Sequence, residues 1–350
     1  MSSGKGKIVT VQGVLQPEDL GVTLTHEHLY IQVPSFYTPP KNKRSETLST
    51  APFEMRHLGW IQQNPYTHIP NLTFEGEDTA VKEELLFFKE NGGHTIVENT
   101  TMGIYRDLKK LKTLADMTGV NIISGTGFYV DGAQTESVRV GYTEEKMANY
   151  MRQDLIDGVE GVKCGIIGEV GTAWPITDFE CRSLRASAAV QDELGCPIII
   201  HPGRHPDAPG EAMRILMEAG GKARHTVMSH LDRTIFDRNS LLEFAKLGCY
   251  LEYDLFGIEV SHYQLNESID MPSDAQRIQT VKFLLDEGYL EQVVISHDIH
   301  TKHRLMKYGG HGYSHILLNI VPKMLKRGIS QQQVDTILKF NPQTWLQFFK

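Results

Sequence analysis

No apolar run of about 18 residues occurs anywhere in the chain, and its first residues hold no apolar h-region. Neither a membrane-spanning helix nor a secretory signal is therefore expected, and the chain reads as cytoplasmic. Cysteine is scarce: Cys164, Cys181, Cys196 and Cys249 lie far apart with no C-x-x-C spacing. That excludes a disulfide framework and a thiolate zinc site, leaving reduced core thiols. Positive charge is not in excess either. Lys and Arg total 35 against 43 Asp and Glu, a formal net charge of −8, and the cations are dispersed. Neither nucleic acid nor an anionic membrane is an expected partner, which leaves a small molecule. No internal repeat is visible, and between monomer and homodimer the sequence does not choose. At 350 residues and 40% hydrophobic composition, one domain spanning 1–350 is the expectation.

Short β-branched or apolar runs alternate with amphipathic stretches, the pattern of βαβ units and a parallel sheet. Strands are expected at 22–29, 94–100, 121–129, 163–170, 197–201, 225–230, 250–255 and 292–298. Between them, Val81, Leu85, Leu86 and Phe88 follow helical spacing and close on Asn91-Gly92-Gly93, where glycine suits a left-handed cap. Thr177-x-x-Glu180, Ser273-x-x-Gln276 and Ser330-x-x-Gln333 read as capping boxes, while Gly195, Gly220, Gly248 and Gly288 stop helices. Eight alternations predict an α/β fold, a single (β/α)8 TIM barrel, rather than a doubly wound sheet. One segment breaks the rhythm. Residues 31–75, after the first strand, contain six prolines together with Phe36, Tyr37, Trp60 and Tyr66. A loop this long is usually functional or disordered, and its aromatics argue for a lid over the barrel mouth.

Ligand-type side chains end five of the expected strands. His26 and His28 form a His-x-His pair, and residues two apart on a strand share a face roughly 7 Å apart. The others are Glu169 in Gly165-Ile-Ile-Gly-Glu, His201 in Ile198-Ile-Ile-His, His230 in Val227-Met-Ser-His and Asp298 in Val293-Val-Ile-Ser-His-Asp. Singly, such a histidine is more often a hydrogen-bonded core residue, and such a glutamate a helix cap. Six of them at the C-terminal end of one barrel, where active sites form, would cost several kcal/mol if buried unpaired. A metal site is the reading. Four histidines and two carboxylates exceed what one catalytic zinc needs, since such sites keep three protein ligands and one open position. Two divalent ions are implied, acting together as Lewis acid and nucleophile source.

In this order, His26-x-His28, Glu169, His201, His230 and Asp298 resemble the amidohydrolase superfamily and, within it, the phosphotriesterase family. Longer segments, among them Leu24-Thr-His-Glu-His-Leu, Val97-Glu-Asn-Thr-Thr, Ser229-His-Leu-Asp-Arg-Thr, Glu252-Tyr-Asp-Leu-Phe-Gly and Gly309-Gly-His-Gly-Tyr-Ser-His-Ile, are similar to an animal branch of that family. The resemblance runs from about Ile8 to the C-terminus. It implies that His26, His28 and Asp298 hold one metal, His201 and His230 the second, and Glu169 bridges, with zinc the usual ion. It also implies hydrolysis of N-acetyltaurine to taurine and acetate, and of some N-acetyl amino acids, with Asp298 as general base and then acid.

Two departures from the phosphotriesterase pattern bear on chemistry. Many relatives bridge their metals with a carbamylated lysine, whereas this strand offers Glu169; Lys163 lies six residues earlier, roughly 20 Å along a strand, and reads as structural. The proton-relay His and Asp of paraoxon-hydrolysing enzymes are replaced by Leu255 and Arg233. Arg204, Arg233 and Lys302 follow His201, His230 and Asp298 closely, so three cations are expected at the rim. They suit a small anionic N-acyl substrate bearing a sulfonate or carboxylate. Asp232 and Asp237 are the alternative partners for these cations. Tyr129 and Tyr253 could donate to the acyl oxygen. The rival readings are a lactonase or phosphotriesterase of the same fold, disfavoured by the missing relay, and a non-catalytic metal-binding protein, disfavoured by the intact ligand set.

Overall fold

In the structure, a computed structural model that describes residues 6–350, a short antiparallel hairpin, β1 (Ile8–Thr10) and β2 (Gly13–Leu15), precedes eight parallel strands. These are β3 (Thr23–Glu27), β4 (Thr95–Glu98), β5 (Asn121–Thr126), β6 (Ile166–Gly171), β7 (Ile198–His201), β8 (Thr226–Met228), β9 (Tyr250–Tyr253) and β10 (Val293–Ile295), each beside the next in chain order. At the seam between β10 and β3, the Ser296 hydroxyl accepts from the His26 N–H at 3.0 Å and donates to the His26 carbonyl at 2.8 Å. The fold is the expected (β/α)8 barrel, nearly closed. The hairpin is the addition; its strands are too short for periodicity to register.

Period-2 alternation builds the barrel interior in layers. Val97, Ile123, Ile166, Ile199, Val227, Tyr250 and Val294 form an apolar cluster with Ile8, Trp345 and Leu346. Two residues further along their strands come Asn99, His201, Ser229, Glu252 and Ser296, all buried. The hydrophobic layer thus supports a polar one at the C-terminal mouth. A second, larger apolar layer packs between the outer faces of the strands and the helices.

All three expected capping boxes form, at Thr177, Ser273 and Ser330. Gly195 ends helix Asp178–Leu194 at φ 72°, and a Cβ there would lie 2.4 Å from the Lys350 nitrogen, so glycine answers both the backbone and the space. Every cysteine is a free thiol, three of them buried. Lys163 is exposed, ahead of the N-terminal end of β6. Among the described residues, no helix is long and apolar enough to cross a membrane.

Residues 31–75 are an ordered roof built on helices Lys43–Leu48 and Met55–Gln63 with tight turns at Pro34–Phe36 and Ile69–Leu72. Asn71 ties it to the loop after β10 by accepting the His303 N–H at 2.8 Å, and Gln264, after β9, accepts the Tyr66 N–H at 3.0 Å.

Candidate metal centre

Each of the six ligand-type residues lies at the C-terminal end of a barrel strand or just beyond it, and all are at least 94% buried. Glu169 presents one oxygen to each side of the cluster. Its Oε1 lies 3.3 Å from His28 Nε2, while its Oε2 lies 2.9 Å from His201 Nδ1, 3.5 Å from His26 Nε2 and 3.7 Å from His230 Nε2. Asp298 Oδ1 is 3.3 Å from His28 Nε2 and 3.9 Å from His26 Nε2. The ligand atoms fall into three overlapping groups, His26–His28–Asp298, His26–His230–Asp254 and Glu169–His201–His230.

The outward nitrogens fix which atoms face inward. His26 Nδ1 sits 3.2 Å from both Glu252 Oε2 and Asp254 Oδ2, and His230 Nδ1 sits 2.8 Å from Asp254 Oδ1. His28 Nδ1 is 2.9 Å from Thr100 Oγ1, whose hydroxyl donates to Glu98 at 2.5 Å. Carboxylates behind Nδ1 hold the proton there, so the Nε2 lone pairs of His26 and His230 converge on the centre. His201 is reversed, with Nδ1 inward and Nε2 3.3 Å from Arg233 Nη2. His26 Nε2 is buried with no hydrogen-bond partner, an orphan that a cation would satisfy. The Nε2 lone pairs of His26 and His230 together with two carboxylates around one point are donors that suit a divalent ion such as zinc.

Electrostatics agree. Burial alone would raise the Glu169 carboxyl, yet His201 and His26 beside it hold it well below the usual range. Asp298 is likewise held low against burial by His300 and His28. Burial would lower His28, but Asp298 and Glu169 push it up to about 9. The anionic pair draws positive charge to this spot. The backbone bends to reach it: His230 at φ 56° and Asp298 at φ 51° are left-handed, each costing about 1–3 kcal/mol. Hydrogen bonds from the His230 N–H to Asp254 (3.1 Å) and from the Asp298 N–H to His26 O (3.1 Å) hold them there. These turns also end β8 and β10 earlier than the apolar runs suggest.

The centre floors a cavity of about 410 Å³. Arg204, Arg233 and Tyr129 line it as expected. Arg204 donates Nε to the Tyr263 hydroxyl at 2.6 Å, its guanidinium lies 5.4 Å from the Phe36 ring, and its Nη atoms bond to no described residue. Arg233 Nη2 donates to Pro202 O at 3.1 Å, and its buried Nη1 has no partner. Tyr129 Oη lies 3.4 Å from His201 Nε2. Asp232 instead pairs with Arg277 at 2.9 Å, and Asp237 caps helix Arg238–Ala245.

Two expectations are corrected. Lys302 does not line the cavity; its ammonium pairs with Glu77 Oε1 at 3.0 Å. Tyr253 does not line it either, because Glu252 and Asp254 face the centre and alternation turns Tyr253 to the opposite side of β9. Several contributors were missed. Glu252 and Asp254 stand in the quoted Glu252-Tyr-Asp motif, where an i, i+2 carboxylate pair next to a histidine site was the available signal. Arg304 donates to Asp298 O at 2.6 Å, and His300 Nδ1 lies 3.0 Å from Asp298 Oδ2. Tyr66 reaches His300 from the roof, a contact without a local sequence signal.

The phosphotriesterase family model matches residues 6–346. The N-acetyltaurine hydrolase of Danio rerio is 56% identical over 350 residues, covering 99% of this chain and all of that protein; the one of Homo sapiens is 54% identical with the same coverage. Among solved structures, a resiniferatoxin-binding protein from Rhodobacter sphaeroides superposes with a TM-score of 0.93 at 28% identity, covering 99% of this chain and 98% of that one. The organophosphorus hydrolase of Deinococcus radiodurans gives 0.77 at 25% identity, with the same shares. With its barrel, its six buried ligand-type residues and this full-length match, the chain belongs to the phosphotriesterase family.

Proposed function

We propose that this chain is a metal-dependent amide hydrolase that converts N-acetyltaurine to taurine and acetate, with related N-acetyl amino acids as further substrates. The observation that carries the reading is a two-sided carboxylate, Glu169, among four imidazoles on the floor of a cavity that Arg204 also lines, its Nη donors unpaired among the described residues. Full-length relatives named for that reaction supply the substrate. His26, His28 and Asp298 would hold one ion, His201 and His230 a second, and Glu169 both. Bound there, two zinc ions polarise a carbonyl and acidify water.

The chain's own groups do the rest. Asp298 accepts the proton of the attacking water as the C–O bond forms and the carbonyl π electrons move onto oxygen, then passes that proton to the leaving nitrogen as the carbonyl re-forms and the C–N bond breaks. Tyr129, beside His201, donates to the acyl oxygen. Arg204 pairs its two free nitrogens with the sulfonate, a fork that suits an oxyanion. Leu255 lines the cavity where a relay histidine would serve phosphotriester cleavage, which favours the amide over a lactone or phosphotriester.

N-acetylethanolamine keeps the length of N-acetyltaurine without the sulfonate, so the pair isolates the anion contact. A charge-assisted hydrogen bond contributes roughly 1.5–3 kcal/mol, about 10–150-fold in kcat/KM. The neutral compound should be poorer by that factor, and Arg204→Ala should narrow the gap. Equal efficiencies in the unmodified protein would refute the anion site, and no turnover of N-acetyltaurine by zinc-loaded protein would refute the function.

A further inference from the structure

We infer that Tyr66, from the roof segment, positions Asp298 through His300 and so tunes how tightly the centre holds its cation; this rests on the metal reading above. Asp298 divides its oxygens: Oδ1 faces His28 and His26, while Oδ2 lies 3.0 Å from His300 Nδ1. His300 Nδ1 hydrogen-bonds the Asp298 carbonyl at 2.9 Å with Oδ2 3.0 Å away, so a proton on Nδ1 is shared between the two oxygens and rotating the carboxylate forfeits its part of it. Nothing but His300 offers Oδ2 that donor among the hydrogen bonds and ion pairs of the described residues.

Whether His300 can donate depends on its tautomer, and its surroundings pull in both directions. Asp298 O, 2.9 Å from Nδ1, and Asp298 Oδ2 both ask for a proton on Nδ1. Arg304 Nη1, 3.1 Å from the same nitrogen, is a donor and asks for a lone pair. At the far side of the ring the Tyr66 hydroxyl lies 2.9 Å from His300 Nε2, its one hydrogen-bond partner among the described residues and so the acceptor available to its proton. Donating there, Tyr66 keeps Nε2 a lone pair and Nδ1 a proton, the form that holds Asp298. Both rings are buried, and they stack with centroids 5.9 Å apart at an interplanar angle of 12°. Tyr66 itself is seated by the Gln264 bond to its N–H, so the placement of the roof is transmitted to a carboxylate on the cavity floor. A tyrosine there for packing alone would need only its ring; the hydroxyl is what the positioning role adds.

The ring-keeping substitution Tyr66→Phe separates the two roles. Zinc affinity of the metal-stripped full-length chain, measured by competition with a chromophoric chelator, reads the effect without using activity. Outer partners of metal ligands typically contribute 10–100-fold in metal affinity, so Tyr66→Phe should weaken one of the two zinc ions by that factor and leave the other unchanged. His300→Asn places a fixed amide N–H near Nδ1 and has no tautomer to choose. It should bind zinc close to the unmodified chain, and adding Tyr66→Phe to it should cost nothing more. Unchanged zinc affinity in Tyr66→Phe, or an equal loss in the His300→Asn background, would overturn the inference. A chain that binds two zinc ions with this coupling yet leaves N-acetyltaurine intact would sink the hydrolase reading and uphold the positioning.

Discussion

The chemistry proposed for the centre turns on Glu169, whose two oxygens face His28 on one side and His201 on the other. A glutamate is a carboxylate at neutral pH without added carbon dioxide, and its neighbours hold it anionic against burial. Metal-stripped protein should therefore recover activity on zinc alone, with bicarbonate making no difference. Glu169→Gln, which keeps the shape but not the charge, should weaken both ions in a chelator competition. A bicarbonate requirement, or loss of metal in Lys163→Ala with Glu169→Gln unaffected, would assign the bridge elsewhere. At this scale the sequence was most legible where residue type and position coincided: a ligand-type side chain closing an apolar run. It was least legible for Lys302 and Tyr253. Nearness in sequence to a proposed ligand did not reveal that Glu77, far earlier in the chain, captures Lys302, nor that β9 turns Glu252 and Asp254 inward and Tyr253 out.

Elements were legible through their punctuation. The three reciprocal boxes at Thr177, Ser273 and Ser330 show side chain and backbone answering each other as the spacing suggests. Thr177→Ala should lower unfolding stability by about 1 kcal/mol, seen as a lower urea midpoint with kcat/KM unchanged. An unmoved midpoint would mean that tertiary contacts alone hold the start of helix Asp178–Leu194. Strand ends were less legible: the expected ranges 225–230 and 292–298 run on through Ser229-His230 and Ser296-His297-Asp298, whereas the strands end at Met228 and Ile295 and the backbone turns left-handed at His230 and Asp298. That turn is enforced by distant partners, Asp254 and the His26 carbonyl. The roof over 31–75 was recognisable as an excursion from its prolines and aromatics, but its helices are short and its anchors, Gln264 and His303, lie some two hundred residues away in sequence.

For the whole molecule, one layered barrel explains why a chain with dispersed charge and an apolar interior carries so polar a mouth. The apolar layer of β4 to β10 holds the ring of buried histidines and carboxylates in place from below, and the roof and the loops after β9 and β10 enclose it from above. The central claim is that this enclosed centre works with two metal ions on an N-acetyl substrate. Zinc titration of metal-stripped chain, with N-acetyltaurine hydrolysis and elemental content followed together, tests it most directly. The account predicts no turnover without metal and a rise to a plateau at two equivalents of zinc per chain. Full activity with one ion or none, or two bound ions without hydrolysis of N-acetyltaurine, would contradict it.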